Sequence, residues 1–214
     1  KTLDLAAAAT ILVTLPAAAG LIVLGDDVVR VLFQGQKFTE ADVWPTVLTS
    51  SCLVAGLPFI GLAQLYARAF YALGDTAAPA KVAVRLVVVN AVCNLVLVLT
   101  TPLGTAALTL SSSLSALLNA SILAFRFRQY APAAHDLGGA WMRSLVATAA
   151  MCAVLPFAKV CSRDAHTLAR AFGNVGLPIV VGMVVYLLAH VVLRSPELSA
   201  LRRRRGGKVE AGGA

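Results

Sequence analysis

The chain has 214 residues, 59% of them hydrophobic and only 13% charged, with a mean hydropathy of +0.83. A soluble fold of this size cannot hide so much apolar surface from water, whereas lipid solvates apolar side chains on every face of a helix. The net charge of +8 does not point to nucleic acid: Arg202, Arg203, Arg204, Arg205 and Lys208 cluster at the end of the chain with no interleaved aromatics.

The composition therefore describes an all-α integral membrane protein of about six transmembrane helices, with no soluble domain of any size. No basic n-region with a cleavage site follows Lys1. No signal peptide is expected, and the chain reads as a fragment or a processed piece.

Charge-free stretches mark the spans. The first is expected near 5–25, since Leu5 to Gly25 carries no charge, and the second near 43–70. Leu86 to Phe125 is charge-free over 40 residues, too long for one crossing of about 20. Thr101-Pro102-Leu103-Gly104 divides it, giving spans near 82–100 and 105–125. The fifth span is expected near 141–158 and the sixth near 171–193. Residues 1–194 then form one helix bundle, and 195–214 a basic tail.

The connections carry turn chemistry. Gly74 suits the left-handed end of one helix, Asp75 or Thr76 the cap of the next, and Pro79 its first turn. The stretch from Asp26 to Asp42 reads as a loop. Six spans place both termini on one side, and the arginine run assigns that side to the cytoplasm. The internal loops alone do not decide orientation, because Arg30, Lys37, Lys159, Arg163 and Arg170 balance Arg68, Lys81, Arg126 and Arg128.

Polar residues inside hydrocarbon need a partner or a cavity. Gln64, Arg68 and Tyr71 share a helix face at i, i+4 and i+7, so Arg68 either meets a phosphate or carboxylate or anchors at headgroups. The same pair of readings applies to Arg85, one turn beyond Lys81. Asn90 and Asn94, with Ser111, Ser115 and Asn119, form polar stripes on the third and fourth spans and are expected to hydrogen-bond across them. Ser112, Ala116 and Ala120 make a small-residue face beside that stripe. Pro16, Pro58, Pro156 and Pro178 fall within spans, where each removes a backbone bond. The carbonyls freed at Pro16, Pro58 and Pro178, together with the polar stripes, are expected to need partners outside the chain. Cys52, Cys93, Cys152 and Cys161 form no CxxC pair and read as packing residues. No catalytic constellation, metal motif or phosphate loop is present, and no cofactor is expected.

Four segments in order carry a resemblance. Arg68-Ala69-Phe70-Tyr71-Ala72-Leu73-Gly74-Asp75-Thr76-Ala77-Ala78-Pro79 resembles the RAFYALGDT-x-TP run of the MurJ/MviN family, the lipid II flippases of bacterial peptidoglycan synthesis. Leu32 to Thr39 is similar to its LF-x-x-G-x-F loop, Ala116 to Ser121 to its LNA helix, and Leu15-Pro16 precedes them at matching spacing. Ala77-Ala78 departs from the family, which usually places a threonine before the proline.

The resemblance is clear over Leu5 to Arg128 and rests on hydropathy beyond. It implies the last six of fourteen helices in the multidrug/oligosaccharidyl-lipid/polysaccharide flippase superfamily, with both ends cytoplasmic in a bacterial inner membrane. It further implies lipid II as cargo, membrane lipids and the preceding helices as partners, and a lipid-tail groove on the last two helices. Its functional arginines lie in earlier helices and transfer to no residue here. Gln64, Arg68 and Arg85 remain the substrate-binding candidates of this chain. The competing readings are a polysaccharide or drug exporter of the same superfamily and a non-transporting membrane scaffold.

Overall fold

The computed structural model describes residues 2–33, 38–130, 137–161 and 168–193. These fold into eight helices: α1 (Thr2–Val23), α2 (Gly25–Phe33), α3 (Glu40–Val54), α4 (Leu57–Ala72), α5 (Ala77–Thr100), α6 (Thr105–Tyr130), α7 (Leu137–Cys161) and α8 (Leu168–Val192). Six segments are long and apolar enough to cross a bilayer, with α3 and α4 together making one of them. At 1.5 Å per residue the 24 residues of α5 reach about 36 Å, enough for the hydrocarbon core.

Two elements differ from the sequence reading. Asp26 to Asp42 holds a nine-residue helix, α2, as well as a loop. Its first turn carries Asp26 and Asp27, which suit a helix N-terminus, and Arg30 pairs back to Asp26 at 2.9 Å across one turn. Val29 faces the interior. Arg30 also reaches Glu40 at the start of α3 and so ties the two helices together. These two carboxylates raise its pKa further above the ordinary guanidinium value.

The second difference is in the second span, which breaks at Ala55-Gly56 and resumes with Pro58 in the first turn of α4. A proline there loses no helical donor.

The turns use the residues read from sequence. Gly74 and Gly104 adopt φ of +78° and +56°, where a side chain would be strained. Asp75 Oδ1 accepts the Ala78 backbone N–H at 2.9 Å and caps α5.

Helix α1 carries a single charge, Asp4 in its first turn, and serves two cores. Its Ala7 and Ile11 pack with Leu62, Tyr66 and Phe70 of α4, Val82 and Leu86 of α5, and Ala120 and Leu123 of α6. Its Leu12 packs with Ala147, Met151 and Leu155 of α7 and Tyr186 of α8. Helix α5 lies at the margin: it packs chiefly on α6 and presents Val84, Val87, Val88, Leu95 and Leu99 outward. The basic tail, Lys37, His135, Arg163 and His166 lie outside the described residues.

Candidate functional site

Helix α4 divides its residues between two sides. Leu62, Ala63, Tyr66 and Phe70 are buried in the first core. Gln64, Arg68 and Tyr71 are exposed, displaced about half a turn around the helix from that buried stripe. The polar face thus turns away from the body of the chain. Arg85 is also exposed, but on α5, which touches α4 only slightly. Neither Arg68 nor Arg85 has a carboxylate within ion-pair distance among the described residues. Such a cation on a membrane helix calls for an anionic partner, a headgroup or a wet cavity.

The asparagine stripe is partly knit together. Asn94 Nδ2 donates to Asn90 Oδ1 at 2.8 Å within α5, and Ser111 Oγ of α6 donates to the Asn90 carbonyl at 3.2 Å. Ser115 is half-buried. Asn94 Oδ1 and Asn119 Oδ1 are buried without a hydrogen bond among the described residues.

Ser113 is the serine that closes the interior, and the polar-stripe reading missed it. At the α3–α4 break the Gly56 N–H turns to the Leu53 carbonyl at 3.0 Å, which takes the ordinary donor away from Cys52. Ser113 Oγ donates to that Cys52 carbonyl at 2.5 Å, with the Leu53 carbonyl 3.3 Å away. A Cβ on Gly56 would lie 2.6 Å from Ser113 Oγ and 3.0 Å from its Cα, so only glycine lets α6 approach this closely. The small-residue face of α6 is consequently shifted from the expected one. Ser112 is exposed, while Ala106, Ala107, Ser111, Ser113 and Ala120 are buried.

On the other flank, α1, α7 and α8 enclose an apolar groove of about 450 Å³. Val13, Pro16 and Gly20 line it from α1, Met151 from α7, and Pro178 and Gly182 from α8. Pro16 has no N–H for the Leu12 carbonyl one turn back. The buried Tyr186 hydroxyl donates to that carbonyl at 2.8 Å. His190, 2% exposed, sits edge-on to the Tyr186 ring with centroids 4.6 Å apart.

At Pro16 and at the α3–α4 break the chain therefore supplies its own donors. The expectation that carbonyls freed by prolines need helices outside the chain does not hold at Pro16, where Tyr186 supplies the donor, and Pro58, in the first turn of α4, frees none. Both rescuing hydroxyls come from helices distant in sequence, which local patterning does not reveal. A proline with an unsatisfied carbonyl four residues earlier was the available signal, and Tyr186 a hydroxyl within an otherwise apolar run.

The chain is similar to known proteins along most of its length. The family model described as lipid II flippase MurJ matches residues 1–175. A probable lipid II flippase MurJ of Bdellovibrio bacteriovorus is 28% identical over 195 residues, covering 88% of this chain and 36% of that protein. A probable lipid II flippase MurJ of Rickettsia prowazekii is 33% identical over 87 residues, covering 41% of this chain and 17% of its own. A solved structure, lipid II flippase MurJ in an inward closed conformation, superposes with a TM-score of 0.71 at 21% identity, over 89% of this chain and 38% of that one. The chain thus spans well under half the length of these relatives. With the family model matched over most of its residues, and with the helical membrane architecture those relatives share, the chain belongs to the MurJ family.

Proposed function

We propose that this chain is the C-terminal part of a lipid II flippase, whose complete form carries the peptidoglycan precursor from the inner to the outer leaflet by alternating access. The physical task is to move a polar, anionic headgroup through hydrocarbon while its tail stays in lipid. One observation supports it above the others: α4 turns Gln64, Arg68 and Tyr71 away from the chain's own core. A face that is polar, cationic and unused by this chain suits one wall of a cavity whose other walls come from preceding helices. Arg68 would then meet the diphosphate, and Arg85 would contribute from α5. The groove between α1, α7 and α8 suits the lipid tail, being lined almost wholly by apolar groups.

The cytoplasm lies at the Gly74 end in this reading. Arg68, Lys81, Arg126 and Arg128 fall toward that end in the order of the helices, with Arg85 and Arg143 near the boundary, and the basic sequence that follows α8 supports a cytoplasmic side there. Single cysteines replacing Gln36 and Thr76, in a background without the native four, test it. An impermeant thiol reagent added outside should label position 36 and miss position 76; the reverse pattern contradicts the orientation.

Complementation of a flippase-depleted bacterium tests the reading as a whole. The complete protein should restore growth, and the 214-residue chain alone should not. Rescue by this chain alone would show that it holds a complete cavity, and would defeat the reading of it as one wall.

A further inference from the structure

A cavity that carries polar groups lies at the Gly74 end, on the other side of α4 from the Arg68 face. It occupies about 570 Å³ between the start of α5 and the end of α6. Its floor is the wholly buried Phe70, the largely exposed Phe125 stands beside it, and Ser121, Arg126, Gln129 and Tyr130 provide its polar groups. We propose that this cavity binds the phosphate-bearing headgroup of an anionic membrane phospholipid.

A cation, an aromatic floor and a position at the membrane boundary converge on that chemistry. Arg126 is half-buried and has neither a carboxylate nor a hydrogen-bond partner among the described residues, so its guanidinium is available for bidentate contact with phosphate oxygens. Asp75 borders the cavity, where its Oδ1 accepts the Ala78 N–H at 2.9 Å and its Oδ2 the Tyr130 hydroxyl at 3.3 Å, which leaves Arg126, Ser121 and Gln129 as the groups open to an anion. The aromatic floor favours a molecule whose charged group continues into an apolar one, as a phospholipid does and a free phosphate does not. The location agrees, since α4 ends and α5 begins here, at the boundary of two membrane-crossing segments.

The complete protein, stripped of lipid in neutral detergent, should retain one phosphatidylglycerol in native mass spectrometry in preference to phosphatidylcholine. Arg126→Gln should weaken that binding about tenfold or more, with Arg126→Lys intermediate. Arg128→Gln should leave it unchanged, because Arg128 is exposed and does not line the cavity. If Arg126→Gln fails to fold, Ser121→Phe, which fills the cavity from an exposed position, should abolish retention in its place. Equal losses in the Arg126 and Arg128 variants would reduce the effect to general surface charge and overturn the proposal. Unchanged binding in Arg126→Gln would overturn it as well. Displacement of the lipid by equimolar glycerol phosphate would overturn the phospholipid assignment in favour of a soluble phosphate.

Discussion

Two helix irregularities in this chain begin alike and end differently. At the α3–α4 break and at Pro16 of α1, a carbonyl loses its helical donor and a hydroxyl from a distant helix replaces it. At the break, Gly56 brings α6 against the chain and no space is left. Beside Pro16, a glycine on each of α1 and α8 borders an open apolar groove. The difference lies in what faces the glycine. Gly56 meets a serine that reaches backbone oxygens, and the hydrogen bond holds the helices together. Gly182 meets Met151 and Leu155, flexible and apolar groups that leave a cleft beside them. One flank is thus built as a tight seam and the other as an adaptable slot.

The largest effect that would break this contrast is expected at the seam. Gly56→Ala places a methyl against the Ser113 backbone, and overpacking of this kind costs roughly 1–3 kcal/mol. The complete protein should show a clearly lower melting temperature in detergent, and an unchanged one would mean that the seam is not tight.

Removing either rescuing hydroxyl should come next. Ser113→Ala and Tyr186→Phe each leave a buried carbonyl without its donor, at about 1 kcal/mol, while Ser112→Ala, at an exposed position, should stay within about 0.5 kcal/mol. Thermal melts of the three variants check the order, and equal losses at Ser112 and Ser113 would refute the assignment of the inner face.

The smallest effect belongs to the slot. Gly182→Ala would bring a Cβ to 3.1 Å from Leu155 Cδ2 and 3.3 Å from Met151 Cγ, both side-chain atoms able to give. Its stability should change by less than about 1 kcal/mol. Gly182→Phe, which fills the groove, should slow transport with abundance maintained.

Much of the fold is legible in the sequence because the bilayer imposes a length on every span. Charge-free stretches, the Thr101–Gly104 turn and the Gly74-Asp75 cap are local signals, and each carries its structural reason within a few residues. The direction in which a span faces is far less legible. On α5 and α6 nearly every position is apolar or small, so periodicity does not separate Ser112 from Ser113; only the neighbour behind them does. The same limit hid α2, whose polar residues resemble those of a loop until Arg30 is seen pairing across one turn. For the candidate site, sequence spacing did put Gln64, Arg68 and Tyr71 on a single face. That this face points away from the chain's own core required the structure.

Transport by the complete protein in proteoliposomes, measured as labelled lipid II reaching the opposite leaflet, tests the role of that face most directly. Arg68→Ala should slow transport about tenfold, the equivalent of one charge-assisted hydrogen bond, and Arg68→Lys should recover part of the rate as a point charge. Transport at the full rate by Arg68→Ala, with protein abundance unchanged, would contradict the assignment of the α4 polar face to the cargo path.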